Sequence, residues 1–146
     1  MASQPRAIFV SVPVQDLSAS VAFFGAIGFE FNEAFTDDSG TCMVVNEQAY
    51  VMLLSQARFA DFATKPIADP AAANAAILGV SADSREAVDA LVDAALAAGA
   101  EPGRDPMDMG SMYQRSFHDP DGYLWEIVWM DEQASAEGPP DMAQSA

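Results

Sequence analysis

The sequence predicts an α+β protein made of two βαβββ modules, because a repeat divides the chain and each half has the same order of strand and helix patterns. Asp16 precedes Val21 by five residues, and Asp83 precedes Val88 by the same five. A glycine follows each predicted helix, as is typical of helix C-termini. One module alone would expose one face of a short sheet. The two are therefore expected to form a curved mixed eight-stranded sheet with the helices outside and a cup inside.

The first module covers about residues 6–56 and is predicted to contain four strands and one helix. Residues 7–14 alternate as in a strand, and residues 17–27 have helical spacing after the N-cap candidates Asp16 and Ser18. Three further strands are predicted, over Phe29–Phe35, Thr41–Val45 and Ala49–Leu54. Residues 57–73 read as a linker that starts with a short helix, since prolines and alanines follow.

The second module covers about residues 74–131 and repeats this order. A strand at 75–81 leads to a helix at 85–98, and a loose strand then precedes a hairpin whose turn is His118-Asp119-Pro120-Asp121-Gly122. Proline presets φ in such a turn, and glycine tolerates positive φ. Residues 1–131 are predicted to form one domain, followed by an acidic flexible tail at 132–146.

Charge and composition exclude several classes of function. The chain has 22 acidic and six basic residues, a net charge of −16, so nucleic acid and anionic membranes are unfavourable partners. The same charge favours a cationic ligand, although a solubilising surface is the more ordinary explanation. Cys42 is the sole cysteine, which leaves no internal disulfide. Without a signal segment or a span of about 20 apolar residues, the prediction is a soluble cytoplasmic protein.

Glu126 is the residue of the hairpin that most needs an explanation. It is the one carboxylate in the apolar strand from Tyr123 to Trp129, and alternation places it on the face opposite Trp125 and Trp129. A buried carboxylate is costly unless it is paired, metal-bound or protonated. Arg115, on the other arm of the hairpin, is one candidate partner, and a backbone amide is another. As a functional group, Glu126 would be a general base or an anchor for a cationic or donor ligand.

Four segments carry a resemblance to a known superfamily: FVSVPVQDLSASVAFFGAIGFEF, YVMLL, SREAVDALVDAALAAGA and SFHDPDGYLWEIVWMD. Together they resemble the vicinal oxygen chelate superfamily, which contains glyoxalases, bleomycin-resistance proteins and extradiol dioxygenases. More narrowly, the chain is similar to the uncharacterised branch of predicted lactoylglutathione lyases. The resemblance covers about residues 6–131 and implies the glyoxalase/bleomycin resistance/dioxygenase fold and a homodimer.

In metal-dependent members of that superfamily, the first and last strands of each module supply His, Gln or Glu ligands. Glu126 matches the ligand position on the last strand. The other positions fall at Phe9, at Met52 or Leu53, and within 75–77, where no side chain offers a hard or borderline donor. The sequence therefore predicts no metal ligands and no cofactor.

Three functions remain open. The preferred prediction is a protein that binds a small organic molecule in the cup without a metal, with contacts from Tyr113, Gln114, Arg115 and Met52. Alternation permits only one of Tyr113 and Gln114 to face the cup. The second is a lyase or isomerase that uses Glu126 as its catalytic base, as the resemblance to lactoylglutathione lyases implies. The third is a dimeric interaction module without a ligand.

Overall fold

The computed structural model describes residues 6–138 and divides them into two units. Unit 1 ends at Asp69 and unit 2 begins at Pro70, so the boundary lies inside the predicted linker at 57–73. Each unit has one β-sheet with helices against it. This is the mixed α+β architecture that the sequence predicts, and the assignment of residues 1–131 to a single domain stays a prediction.

Unit 1 is a four-stranded mixed sheet with two helices. Its elements in chain order are β1 (Ile8–Val14), α1 (Leu17–Ala26), β2 (Glu30–Asp37), β3 (Gly40–Asn46), β4 (Ala49–Ser55) and α2 (Gln56–Phe62). The strand order is β1-β4-β3-β2, in which β1 and β4 are parallel and the other pairs are antiparallel. Asp16 caps α1 by accepting the backbone N–H of Ala19 at 3.1 Å, and Gly28 follows the helix with φ of 106°.

The two faces of the unit 1 sheet are covered by different helices. On one face the paired residues Val12, Leu53 and Thr41 are buried, as are Phe23 and Phe24 of α1. The opposite face has α2 packed against β1 and β4. The sheet therefore has an α1 face and an α2 face, and α2 is the short helix that the sequence predicts within the linker.

Unit 2 repeats the topology of unit 1. Its elements are β5 (Ile77–Ser81), α3 (Arg85–Ala97), β6 (Glu101–Pro102), β7 (Met107–Asp108), β8 (Met112–His118), β9 (Leu124–Met130) and α4 (Glu132–Glu137). The strand order is β5-β9-β8-β6, with β7 also paired to β8 and with β5 parallel to β9. The described chain thus has nine strands and not the predicted eight, because the loose strand after α3 is divided into β6 and β7.

The core of unit 2 lies between its sheet and α3. Ser84 caps α3 by accepting the backbone N–H of Ala87 at 3.0 Å. Val88 and Val92 of the helix are fully buried, as are Phe117, Trp125 and Ile127 on the facing side of β8 and β9. Phe117 and Trp125 stack with their ring planes 6° apart. The face of the sheet that carries these residues is called the α3 face below, and the other is called the open face.

The segment after β9 differs from the prediction of a flexible tail from residue 132. Glu132–Glu137 form α4, which Asp131 caps through the backbone N–H of Ala134 at 2.8 Å. Ala134 is buried against the unit, since α4 contacts β9. The tail from residue 139 onward lies outside the described residues. Within residues 6–138, no helix has the length and apolar character needed to cross a membrane.

Candidate functional site

Glu126 lies in the middle of β9, on the open face of unit 2. The register places it between Gly79 of β5 and Ser116 of β8. Its carboxylate accepts a hydrogen bond from the side-chain amide of Gln114, the next residue of β8 on the same face. Gln114 is therefore the partner of Glu126, and the predicted pairing with Arg115 is wrong.

Small neighbours leave room around the carboxylate. A Cβ atom built on Gly79 would meet no atom within 4 Å, so the position beside Glu126 on β5 is open. On the other side, Ser116 is short, and its hydroxyl is engaged by a backbone amide. Glu126 itself is partly exposed. The carboxylate is thus held by Gln114 and remains accessible to a small molecule.

Arg115 and Tyr113 lie on the α3 face, opposite Glu126, because side chains alternate along β8. Arg115 donates to Asp89 at 2.8 Å and to Asp93 at 2.9 Å, two carboxylates one turn apart on α3. The Tyr113 hydroxyl donates to Asp89 at 2.7 Å. These bonds lower the pKa of Asp89, that from Tyr113 most, and raise the pKa of Tyr113. Both residues therefore hold α3 to the sheet, and the prediction that they line the same ligand site as Glu126 is wrong.

A second arginine ties the start of α3 to β7. Arg85 forms two hydrogen bonds of 2.8 Å with the carboxylate of Asp108, and its guanidinium lies 5.2 Å from the ring centroids of both Tyr113 and Trp129. The hydrogen bonds from Arg85 lower the pKa of Asp108 to about 2. Trp129 lies opposite Glu126, as predicted, and contributes to this cluster.

The turn between β8 and β9 is organised by Asp119. One carboxylate oxygen accepts the backbone N–H groups of residues 121–123, each at 3.0 Å, and the other accepts the indole N–H of buried Trp125 at 3.0 Å. Gly122 has φ of 103°, and the backbone of Ala71 lies so close that no side chain would fit there. His118 has its Nδ1 atom 3.1 Å from the carbonyl of Pro102. The turn thus fixes the start of the strand that carries Glu126.

Met52 lies on the α2 face of unit 1, beside an apolar pocket of about 510 Å³. The pocket is lined by Ser11, Met52, Leu54, Phe59, Phe62 and Ala63. Phe62 is 70% exposed, which leaves the edge of the pocket accessible from solvent. We call this the α2 pocket. Phe59 and Phe62 were not predicted as site residues, although their spacing of three in a predicted helix puts both on one side of it.

The donor set does not fit the divalent metal site of the superfamily. Two of the positions that match metal ligands of the superfamily are occupied by apolar side chains. Phe9 lies on the α2 face, stacked on Tyr50 with ring centroids 5.1 Å apart, and Ile77 lies on the open face. Met52 offers only a thioether, and Gly79 beside Glu126 offers no side chain. No group of three His, Cys, Asp or Glu side chains that could hold a metal ion occurs in residues 6–138. A single carboxylate with one amide partner is too small a set for such a site.

The comparison with protein-family models identifies one family. Residues 6–127 match the family model described as Glyoxalase/Bleomycin resistance protein/Dioxygenase superfamily. No protein of curated function matches the sequence.

Solved structures give the same fold at low identity. A hypothetical protein from S. aureus is 22% identical, with a TM-score of 0.72 over 87% of this chain and 95% of that one. A glyoxalase/bleomycin resistance protein/dioxygenase family enzyme from Burkholderia phytofirmans PsJN is also 22% identical, with a TM-score of 0.69 over 84% and 96%. A glyoxalase-related enzyme from Fulvimarina pelagi is 18% identical, with a TM-score of 0.71 over 86% and 88%. These similarities support the fold alone.

Proposed function

The chain belongs to the glyoxalase/bleomycin resistance protein/dioxygenase superfamily, and from that membership we propose that it binds a small organic molecule in the α2 pocket of unit 1, without a catalytic metal. The observation that carries the proposal is the pocket itself. Its volume of about 510 Å³ is within the range of about 300–1,000 Å³ that is typical of small-molecule sites.

The lining of the α2 pocket defines the class of ligand. Met52, Leu54, Phe59 and Phe62 supply aliphatic, thioether and aromatic surface, and Ser11 supplies a hydroxyl. Aromatic rings and methionine sulfur pack favourably against a flat apolar group. The net charge of −16 disfavours anions. The ligand is therefore a neutral or cationic aromatic molecule with at most a few polar groups.

Two exposed phenylalanines make a matched test. Phe62 borders the α2 pocket, whereas Phe35 on β2 is outside it, and they are 70% and 63% exposed. A library of neutral and cationic aromatic fragments would be screened against the full chain by ligand-observed NMR, in the presence of EDTA. Phe62→Ala is expected to weaken the binding of hits about fivefold or more, from the loss of one aromatic contact of about 1 kcal/mol. Phe35→Ala should leave it unchanged.

Either of two results would refute the proposal. The first is the absence of any hit with the wild-type protein. The second is an equal effect of Phe62→Ala and Phe35→Ala, which would place the hits outside the pocket. Binding that appears only when divalent metal replaces EDTA would refute its metal-free part.

The second candidate function is a lyase or isomerase activity with Glu126 as base. It is favoured by the accessible carboxylate, which Gln114 holds beside the open position at Gly79. Glu126→Gln keeps the size of the side chain and removes the base, so activity in a lactoylglutathione lyase assay should disappear while binding in the α2 pocket persists. Unchanged turnover in this variant would exclude Glu126 as the base. The homodimer stays a prediction, which light scattering would check.

A further inference from the structure

The edge of the unit 2 sheet carries a bulge next to β8, the strand that pairs with Glu126. Pro102 pairs with Phe117, and Met107 pairs with Gln114. The four residues 103–106 therefore lie opposite only two residues of β8, Arg115 and Ser116. Such bulges are common next to functional sites, where they redirect a side chain.

The bulge is fixed to the open face by Ser116. The backbone N–H of Gly103 donates to the carbonyl of Ser116 at 3.2 Å, and the backbone N–H of Arg104 donates to its hydroxyl at 2.8 Å. A Cβ atom on Gly103 would lie 2.3 Å from that hydroxyl, so only glycine permits this approach. Ser116 pairs directly with Glu126, and their side chains share a face. The backbone of Arg104 is thus held above the strand next to Glu126.

Arg104 is exposed and differs from the other arginines of unit 2 in its partners. Arg85 and Arg115 each bind carboxylates, whereas the guanidinium of Arg104 makes no ion pair within 4.0 Å to any described residue. Ser116 and Glu126 are directly paired, and residues in such a pair have Cβ atoms about 4.5–5.5 Å apart. The backbone amide of Arg104 lies 2.8 Å from the Ser116 hydroxyl, so the Ser116 side chain separates it from Glu126, and an extended arginine side chain is long enough to cross that gap. Arg104 and Glu126 are therefore near enough to contact the two ends of one small molecule.

We propose that Arg104 and Glu126 bind a small zwitterion at the open face of unit 2, with the anionic group on Arg104 and the ammonium group on Glu126. A guanidinium binds a carboxylate in a bidentate manner, and a carboxylate forms strong hydrogen bonds with an ammonium group. Gln114 fixes the acceptor, and the empty position at Gly79 provides space.

The charge of the chain also selects this class of ligand. A field from 16 net negative charges repels an anion before it reaches Arg104, whereas a zwitterion carries no net charge. Amino acids with small or flat side chains are the simplest members of the class. The site is built from residues of unit 2 and the α2 pocket from residues of unit 1, and different variants test the two proposals, so either can fail without the other.

The test uses three matched sets of probes at millimolar concentration. The first set is the standard L-amino acids, the second is the corresponding amines without the carboxylate, and the third is the corresponding carboxylic acids without the amine. Ligand-observed NMR on the full chain is expected to detect at least one amino acid, with its amine and its acid each bound about tenfold more weakly or not at all.

Variants then assign the binding to the site. Arg104→Gln and Glu126→Gln should each weaken binding of the amino acid at least about tenfold, because each removes one charged hydrogen-bonded contact. Lys65→Gln makes the same change in net charge as Arg104→Gln, but in unit 1, and should have no effect. Gly103→Ala, which displaces the bulge, should weaken binding while residue 104 remains arginine.

Three outcomes would overturn the proposal. One is that no amino acid binds the wild-type protein. Another is that an amine binds as tightly as its amino acid and Arg104→Gln does not weaken it, which would make Glu126 a simple cation site. The third is that Lys65→Gln weakens binding as much as Arg104→Gln, which would show a general effect of charge. Circular dichroism of each variant would confirm that it is folded.

Discussion

Replacement of Asp119 by asparagine is expected to destabilise unit 2 by about 3 kcal/mol. The Asp119 carboxylate accepts four hydrogen bonds, three from turn amides and one from the indole of Trp125, and only 6% of the residue is exposed. Burial raises the pKa of this carboxyl, and the bond from Trp125 and the turn amides oppose that rise. Asparagine has one acceptor oxygen. If that oxygen accepts the turn amides, the side-chain N–H₂ of the asparagine faces the indole N–H of Trp125. These two buried donors then lack an acceptor.

The estimated loss has two parts. An unsatisfied buried donor costs about 1–3 kcal/mol. In the remaining hydrogen bonds the acceptor changes from a charged to a neutral oxygen. A hydrogen bond to a charged group contributes about 1.5–3 kcal/mol and a neutral one about 1 kcal/mol, so each bond loses part of that difference. Urea denaturation followed by far-ultraviolet circular dichroism would measure the free energy of unfolding. Asp38→Asn, at an exposed carboxylate in unit 1, is the control and should change it by less than about 0.5 kcal/mol.

A double-mutant cycle with Trp125→Phe tests the mechanism. Phenylalanine has no indole N–H, so in that background Asp119→Asn no longer opposes two donors and should cost about 1–2 kcal/mol less than in the wild-type protein. If the two substitutions are additive to within about 0.5 kcal/mol, the bond between Asp119 and Trp125 does not contribute as described. The turn would then stabilise β9 through its backbone bonds alone.

Three other predictions concern the same unit. Gly122→Ala should destabilise it by about 2 kcal/mol or more in the same urea assay, because a Cβ atom would lie 2.9 Å from the backbone of Ala71 and φ is 103°; an effect below about 0.5 kcal/mol would contradict this. Arg115→Gln should reduce stability by about 1 kcal/mol through the loss of its bonds to α3 and leave amino-acid affinity unchanged by NMR titration, whereas a weakened affinity would return Arg115 to the site. Asp108 has its pKa lowered to about 2 by hydrogen bonds from Arg85, so the stability from this pair is present above the ordinary value near 3.8 and is lost as the pH falls toward 2. In Asp108→Asn, the melting temperature should therefore fall less steeply over this range, and a parallel pH profile would refute the contribution.

The sequence was sufficient to predict the modules and most of their elements. Helix caps and stops were local signals. Asp16, one of the two predicted candidates, caps α1, and glycines with positive φ, Gly28 and Gly99, follow α1 and α3 as predicted. Because the two halves repeat, the same strand order was expected in both, and both sheets have it. The exception is the tail, where a short acidic segment with little apolar content forms α4 because Asp131 caps it and Ala134 is buried against unit 2.

The candidate site was only partly predictable, because a shift of one residue in strand register exchanges the faces of a sheet. The alternation in β9 correctly separated Glu126 from Trp125 and Trp129, whereas β8 has polar residues on both faces and gave no such pattern. The missed signal was in α3, where Asp89 and Asp93 are four residues apart and so face the same way. Two carboxylates one turn apart on a helix attract a cation, and Arg115 on the neighbouring strand binds both.

The edge strands of both units carry a bulge, and the two bulges are bonded to different faces of their sheets. In unit 1, Asn32 pairs with Cys42 and Asp37 pairs with Gly40, so residues 33–36 of the edge strand β2 lie opposite Thr41 alone, at the same place in the topology. There the hydroxyl opposite the bulge is that of Thr41, which bonds to Thr36 at 2.8 Å and lies on the α1 face. In unit 2 the corresponding hydroxyl belongs to Ser116 and lies on the open face. An edge strand is hydrogen-bonded on one side only, so such an insertion removes few bonds. The bulge of unit 1 is thus bonded on the face that α1 covers, whereas the bulge of unit 2 is bonded on the open face that carries Glu126.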